Sequence, residues 1–164
     1  MKILCILQNT WTRDPERTHA LLLKHQDRRH EVVARLLFAS GCLTGKRFKT
    51  VFGDLMQQHT FIFDNASTTI TGDSGGRPPY NVEHVRGLIG RHRPDVILAL
   101  GSSAKAAFKD MRAARRAQAP LPPVVECIHP AVQKPGWLGQ MMSAREQLEK
   151  EITIINHAGL ALYA

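Results

Sequence analysis

Four short stretches of this chain hold the side chains best able to do chemistry. They are Gln8-Asn9-Thr10-Trp11, Asp64-Asn65-Ala66-Ser67, Gly101-Ser102-Ser103 and His129-Pro130-Ala131. Together they offer amides, one imidazole, small hydroxyls and an indole. None of the first four can attack a bond unaided, and an amide cannot take up a proton as a carboxylate does. There is no Ser-His-Asp set in a strained elbow, no GxGxxG turn, no lysine-bearing phosphate loop and no metal cluster. Such a collection can read a planar, hydrogen-bonding heterocycle and stabilise negative charge that leaves on it.

These stretches share a place in the pattern, because each follows an apolar run. The runs are KILCIL (2–7), TFIFD (60–64), DVILAL (95–100) and VVECI (124–128). Each has strand length and is apolar almost throughout, as expected of strands buried on both faces of a parallel sheet. Segments of helical period separate them, at 16–38, 44–58, 81–92, 102–119 and 138–157. In the first, Ala20, Leu23, Val32, Leu36 and Leu37 mark the inward face, and in the fourth Ser102 or Ser103 is the expected N-cap. Strand and helix alternate, which predicts a three-layer α/β/α sandwich around a central four-stranded parallel sheet with right-handed crossovers. No repeat or linker divides residues 1–164, so one domain is expected. Residues 65–80 read as a long loop. In open sheets of this kind ligands bind beyond the carboxyl ends of the strands, where the four stretches lie.

Composition bounds the partners. Apolar residues make up 43% and charged residues 22%, the profile of a globular protein. No apolar run approaches the roughly 18 residues of a membrane span, and the apolar start reads as a strand, not a signal peptide; the expected location is cytoplasmic. Cys5, Cys42 and Cys127 lack metal-site or disulfide spacing and are expected to be buried free thiols. The net charge of +8 favours a polyanion as partner. Lys109, Arg112, Arg115 and Arg116 read as a solvated helix face, and GKRFK (45–49) and RHRP (91–94) add positive charge.

FIFDNAS, RPPYNVEHVRGLIGRHRPDVILALGSSAKAAF and CIHPA, in that order, resemble the motifs of the uracil-DNA glycosylase superfamily. LQNTW lies where that family carries its first motif, and the likeness runs from residue 2 to about 140. It implies a DNA-repair glycosylase that hydrolyses the N-glycosidic bond of uracil or a related damaged base, with DNA as partner and no cofactor. It assigns Asn9 to orienting the attacking water and His129 to donating to the pyrimidine O2. Gln8, through its backbone, Trp11, at the C5 edge, and Asn65, as reader of the Watson–Crick edge, would bind the base. Gly101, Ser102 and Ser103 would approach the DNA backbone, with Gln133, Lys134 and Trp137 on the segment from which members insert an apolar wedge.

The chain also departs from the family's pattern. Leu7 replaces a glycine, Thr10 a proline, and Ala131 a serine of the His-Pro-Ser motif. No stacking phenylalanine stands at the usual distance, which leaves Phe38 or Trp11 as substitutes, and Asp14 is an alternative carboxylate to Asn9. Two other functions are compatible with these residues. One is a nucleic-acid-binding protein of the same fold with a degenerate pocket; the other is a hydrolase acting on nucleotides.

Overall fold

A computed structural model describes residues 1–39, 41–72, 78–114 and 120–161. The chain runs β1 (Lys2–Leu7), β2 (Thr10–Trp11), α1 (Pro15–Lys24), α2 (Arg29–Ala39), α3 (Leu43–Phe52), α4 (Leu55–Gln58), β3 (Thr60–Asn65) and β4 (Ile70–Thr71). It continues through α5 (Val82–His92), β5 (Val96–Leu100), α6 (Ser102–Ala113), β6 (Val124–Cys127) and α7 (Trp137–Ala161). β3, β1, β5 and β6 pair in that order, all parallel. The four apolar runs are therefore the four strands of the sheet.

Alternation along each strand explains why the runs are apolar on both sides. Ile3, Cys5 and Leu7 of β1 join Val96, Leu98 and Leu100 of β5 and Phe63 of β3 on one face. That face is covered by Leu22 of α1, Val33 and Leu37 of α2, Phe48, Val51 and Phe52 of α3, and Met141, Ala144 and Leu148 of α7. Leu4, Ile6, Ile97 and Ala99 point the other way, under Val85 and Leu88 of α5 and Ala104, Ala107, Phe108 and Met111 of α6. The result is the three-layer α/β/α sandwich, with a separate core on each face of the sheet. None of the described helices is long and apolar enough to cross a membrane.

Several local expectations need correction. The segment 16–38 is not one helix: it breaks at His25 (φ −120°, ψ 44°), and a 3-10 turn over Gln26–Arg28 leads into α2. The break rotates the inward face, so Thr18, Leu22, Val33 and Leu37 are buried while Leu23 is 52% exposed. Segment 44–58 likewise divides into α3 and α4 around Gly53-Asp54. Gly101, not Ser102 or Ser103, occupies the N-cap position of α6, without a side-chain cap. Residues 115–119, with Arg115 and Arg116, lie outside the described residues, as do 73–77. Of the thiols, Cys5 and Cys127 are buried, but Cys42 is only half-buried and caps α3, its Sγ accepting from Gly45 N–H at 3.4 Å. Burial pushes the Cys5 thiol well up and that of Cys127 to about 12, so neither supplies a thiolate at neutral pH.

The start of the expected loop after β3 is tied to the exit of β1. Ala66 N–H donates to Leu7 O at 2.7 Å and Ser67 N–H to Gln8 O at 3.0 Å. β2 and β4 then form a small parallel ladder with Thr10 opposite Ile70 and Trp11 opposite Thr71.

Candidate functional site

The strand order reverses direction at the β1–β5 pair, and a crevice opens beyond the carboxyl ends of strands at such a point. A cavity of about 1130 Å³ lies there. This slightly exceeds the usual range for small-molecule sites, roughly 300–1,000 Å³. Gln8, Asn9, Asn65, Gly101, Ser102, His129 and Lys134 all line it, so four strand ends separated by up to 120 residues converge. Leu7, Val33, Leu36 and Leu37 provide an apolar wall, and Arg13, Lys105 and Lys134 bring cations. No carboxylate stands among its described lining residues.

Asn65, at the end of β3, is 2% exposed. Its Nδ2 donates to Thr10 Oγ1 at 2.6 Å, and Thr10 is itself buried. One amide hydrogen is thereby engaged, leaving the other and Oδ1. Its backbone N–H, on the outer edge of the sheet, donates to Asp64 Oδ1 at 2.8 Å, and Arg29 Nε donates to the same oxygen at 3.0 Å. His84 Nε2 stands 3.8 Å from that oxygen. Burial by itself raises the Asp64 pKa; His84, Arg29 and the Asn65 N–H outweigh it and hold the carboxyl below its ordinary range. Asp64 is therefore an anion in the wall behind the site, and Arg29 reaches it because the chain turns at His25.

Asn9 is half-buried at the exit of β1, where its Nδ2 donates to Thr71 Oγ1 at 2.8 Å. Gln8 is half-buried beside it. The Trp11 backbone lies in β2, and its side chain lies outside the described residues.

His129 follows β6. The Ala131 backbone N–H donates to its Nδ1 at 3.2 Å. A main-chain N–H can only donate, so Nδ1 is the unprotonated nitrogen and Nε2 carries the hydrogen. Burial pushes the His129 pKa below its ordinary value, which keeps the ring neutral at pH 7. The ring packs on Gly101, whose φ of +91° suits glycine; a Cβ there would stand 3.0 Å from His129 Cβ. Gly101 N–H donates to Cys127 O at 2.9 Å, which seats the turn against β6.

Arg47, read from the sequence only as surface charge, holds the segment after His129. Its Nη1 donates to Pro130 O at 2.9 Å and Val132 O at 2.7 Å, while the guanidinium lies 4.1 Å from the Trp137 ring centroid. Trp137 is half-buried and packs against the core. Gln133 and Lys134 are exposed, and only Lys134 of the two lines the cavity. Ser103, one residue into α6, is half-buried and does not line it.

Two alternatives raised by the sequence have other places. Asp14 Oδ1 accepts from Arg17 N–H at 3.0 Å as the N-cap of α1, with Pro15 behind it, and is not in the cavity lining. Phe38 packs edge-on against Phe48 and Phe63 in the core. The sequence names Thr10 only as a poor nucleophile and a departure from a proline and Arg47 only as charge, and it does not point to Thr71 or to the pairing of Arg29 with Asp64. The only local hint was the alternating Thr69-Ile70-Thr71, a pattern that suits a short strand. Among the described residues no group of three or more His, Cys, Asp or Glu is arranged to hold a metal ion.

The fold and site together define an open parallel α/β/α sandwich with an amide- and imidazole-lined cavity at its switch point. Compared with protein-family models, curated proteins and solved structures, the chain matches none.

Proposed function

We propose that the chain is a DNA glycosylase that hydrolyses the N-glycosidic bond of uracil or a related damaged base. One observation carries this reading: a cavity with no carboxylate among its described lining residues gathers three amides, Gln8, Asn9 and Asn65, and a neutral histidine whose basic Nδ1 already accepts from Ala131 N–H, with cations beside them. An enzyme that had to remove a proton from its nucleophile would need a base there. One whose leaving group departs as a hydrogen-bonded anion needs a donor and a positioned water.

In this reading a base leaves the stack, which costs a few kcal/mol, and enters beside Asn65. Asn65 Oδ1 accepts the pyrimidine N3–H and its remaining amide hydrogen meets O4. The bond between C1′ and N1 breaks with its electron pair moving onto the base. His129 Nε2–H donates to O2 as the negative charge grows there; such a preorganised donor is worth roughly 10²–10³ in rate. Asn9 Oδ1 orients a water whose oxygen bonds to C1′, and the water's proton passes to solvent or to the departing base. The DNA phosphates stabilise the positive charge on the sugar and meet Arg13, Lys105 and Lys134, with Ser102 at the start of α6.

The test is strand cleavage at abasic sites after incubation with labelled uracil-, hypoxanthine- and thymine-mismatch oligonucleotides. Cleavage that Asn65→Ala and His129→Ala abolish supports the glycosylase and names its base. Intact strands with binding that weakens steeply in salt would replace it with a nucleic-acid-binding protein whose pocket is degenerate. Release of base from free mononucleotides in place of DNA would make it a nucleotide hydrolase.

A further inference from the structure

We propose that Thr71 is a positioning residue for Asn9: its hydroxyl anchors the amide in the place where the Thr10 carbonyl sets its sense, so that Oδ1, and not the NH2 group, is presented to the attacking water. The inference rests on the glycosylase reading.

An asparagine side chain has two ends of nearly equal shape and opposite hydrogen-bonding sense. Rotated by half a turn, Asn9 would offer two donors where a water nucleophile needs an acceptor. Its orientation at the end of β1 thus decides whether it helps or blocks the attack, and the cavity has no described carboxylate to take over. Two contacts set that orientation. Asn9 Nδ2 lies 2.8 Å from Thr71 Oγ1 and 3.5 Å from the Thr10 carbonyl oxygen. A carbonyl accepts only, so the nitrogen faces Thr10 and Thr71 and the oxygen turns away from both. At 3.5 Å the carbonyl contact is at the limit of a hydrogen bond and holds weakly. Thr71 provides the stronger tether: its hydroxyl, able to donate or accept, holds the amide in place, and the accept-only Thr10 carbonyl decides which end faces inward.

Thr71 is itself tied to the segment it serves. It stands opposite Trp11 in the β2–β4 ladder, and its carbonyl accepts from Thr12 N–H at 3.1 Å. The hydroxyl that holds Asn9 thus comes from a residue anchored to the backbone beside Asn9, although 62 positions separate the two. Thr71 is not among the residues lining the cavity, so its effect on the reaction runs through Asn9.

The experiment measures single-turnover excision from a duplex bearing the base the wild-type chain removes, using Thr71→Val, Thr71→Ser, Asn9→Ala and the Thr71→Val/Asn9→Ala pair. Thr71→Val keeps the β-branched shape and loses the hydroxyl. Its rate is expected to fall by ~10-fold or more, as misplacing a reacting group does, while its affinity for the duplex and its Tm stay near wild type. Thr71→Ser restores most of the rate. Thr71→Val adds nothing to Asn9→Ala, and the Asn9 side-chain amide resonances shift in Thr71→Val without substrate. A Thr71→Val protein at the wild-type rate overturns the inference and leaves the glycosylase reading standing. So does an equal rate loss on the Asn9→Ala background, or a Thr71→Ser protein as slow as the valine variant. If the wild-type chain excises no base from any strand, the glycosylase reading fails and the inference fails with it.

Discussion

Gly101→Ala tests most directly how the backbone seats the imidazole. Gly101 has φ +91° and ψ 176°, a region that costs an L-residue of order 1–3 kcal/mol. The new methyl would stand 3.0 Å from His129 Cβ, 3.4 Å from Cδ2 and 3.6 Å from Cγ, so the imidazole must give by a few tenths of an ångström. Taking about 2 kcal/mol for the backbone, and roughly 2–4 °C per kcal/mol for a chain of this size, Tm falls by roughly 4–8 °C. Displacing His129 also moves its Nε2 donor. Complete loss of such a donor costs roughly 10²–10³ in rate, so a partial displacement should cost ~10- to 100-fold. The assay pairs thermal unfolding with single-turnover excision, and His129→Ala runs beside it. His129→Ala should lose more rate and less Tm than Gly101→Ala, because it removes the donor without straining the turn. A Gly101→Ala protein that melts and excises as wild type would refute the claim that this glycine seats the imidazole.

Three further outcomes follow from the geometry. The pKa values of His59, His92 and His129 are all lowered, chiefly by burial. The unfolded chain therefore binds more protons than the folded one below the ordinary value of 6.5. Stability is full above that pH and declines as pH falls through the depressed folded values, which urea unfolding at pH 7.5 and 5.5 would show; an NMR titration placing His129 above 6.5 would contradict it. Arg47→Ala frees the Pro130 and Val132 carbonyls and uncovers Trp137, at a cost of about 2 kcal/mol. Arg47→Lys should not restore it, since an ammonium cannot donate to both carbonyls while lying flat on the indole; denaturant midpoints of both variants decide this. Arg29→Met leaves the Asp64 charge buried without its cation, with an expected loss of about 3–5 kcal/mol. Adding Asp64→Asn should recover part of that loss, and an Arg29→Met protein within about 1 kcal/mol of wild type would show the pair to be dispensable.

The four strands were legible to within a residue because burial on both faces writes itself as an unbroken apolar run. KILCIL is β1 without adjustment, and TFIFD needs only Asn65 added to give β3. Once those runs are parallel strands, their carboxyl ends must share an edge. This is why Asn9, Asn65, Gly101 and His129 could be grouped before any coordinates. Asp14, an alternative carboxylate on the resemblance, carries a local signal of its own: an aspartate before Pro15 at a helix start is a capping arrangement, and the carboxylate serves the helix.

What tertiary structure decided was the distant partner of a polar group, as at Asn9, Asn65 and Arg47. Hydrophobic periodicity is a local property, since each residue's burial follows from its own side chain and the period of its element. A hydrogen bond depends on which distant segments meet, and at what register. Nothing near Asn9 names Thr71, 62 residues away, and nothing near Arg47 names the carbonyls of Pro130 and Val132, 83 and 85 residues away. The break at His25 had no proline or glycine to announce it, yet it is what lets Arg29 reach Asp64 behind Asn65. The sequence determined the sheet and the convergence of its ends, because burial is local. Only the folded chain determined how Asn9 and Asn65 are held and what the His129 ring packs on, because Thr71, Thr10 and Gly101 are brought to them by contacts of long range.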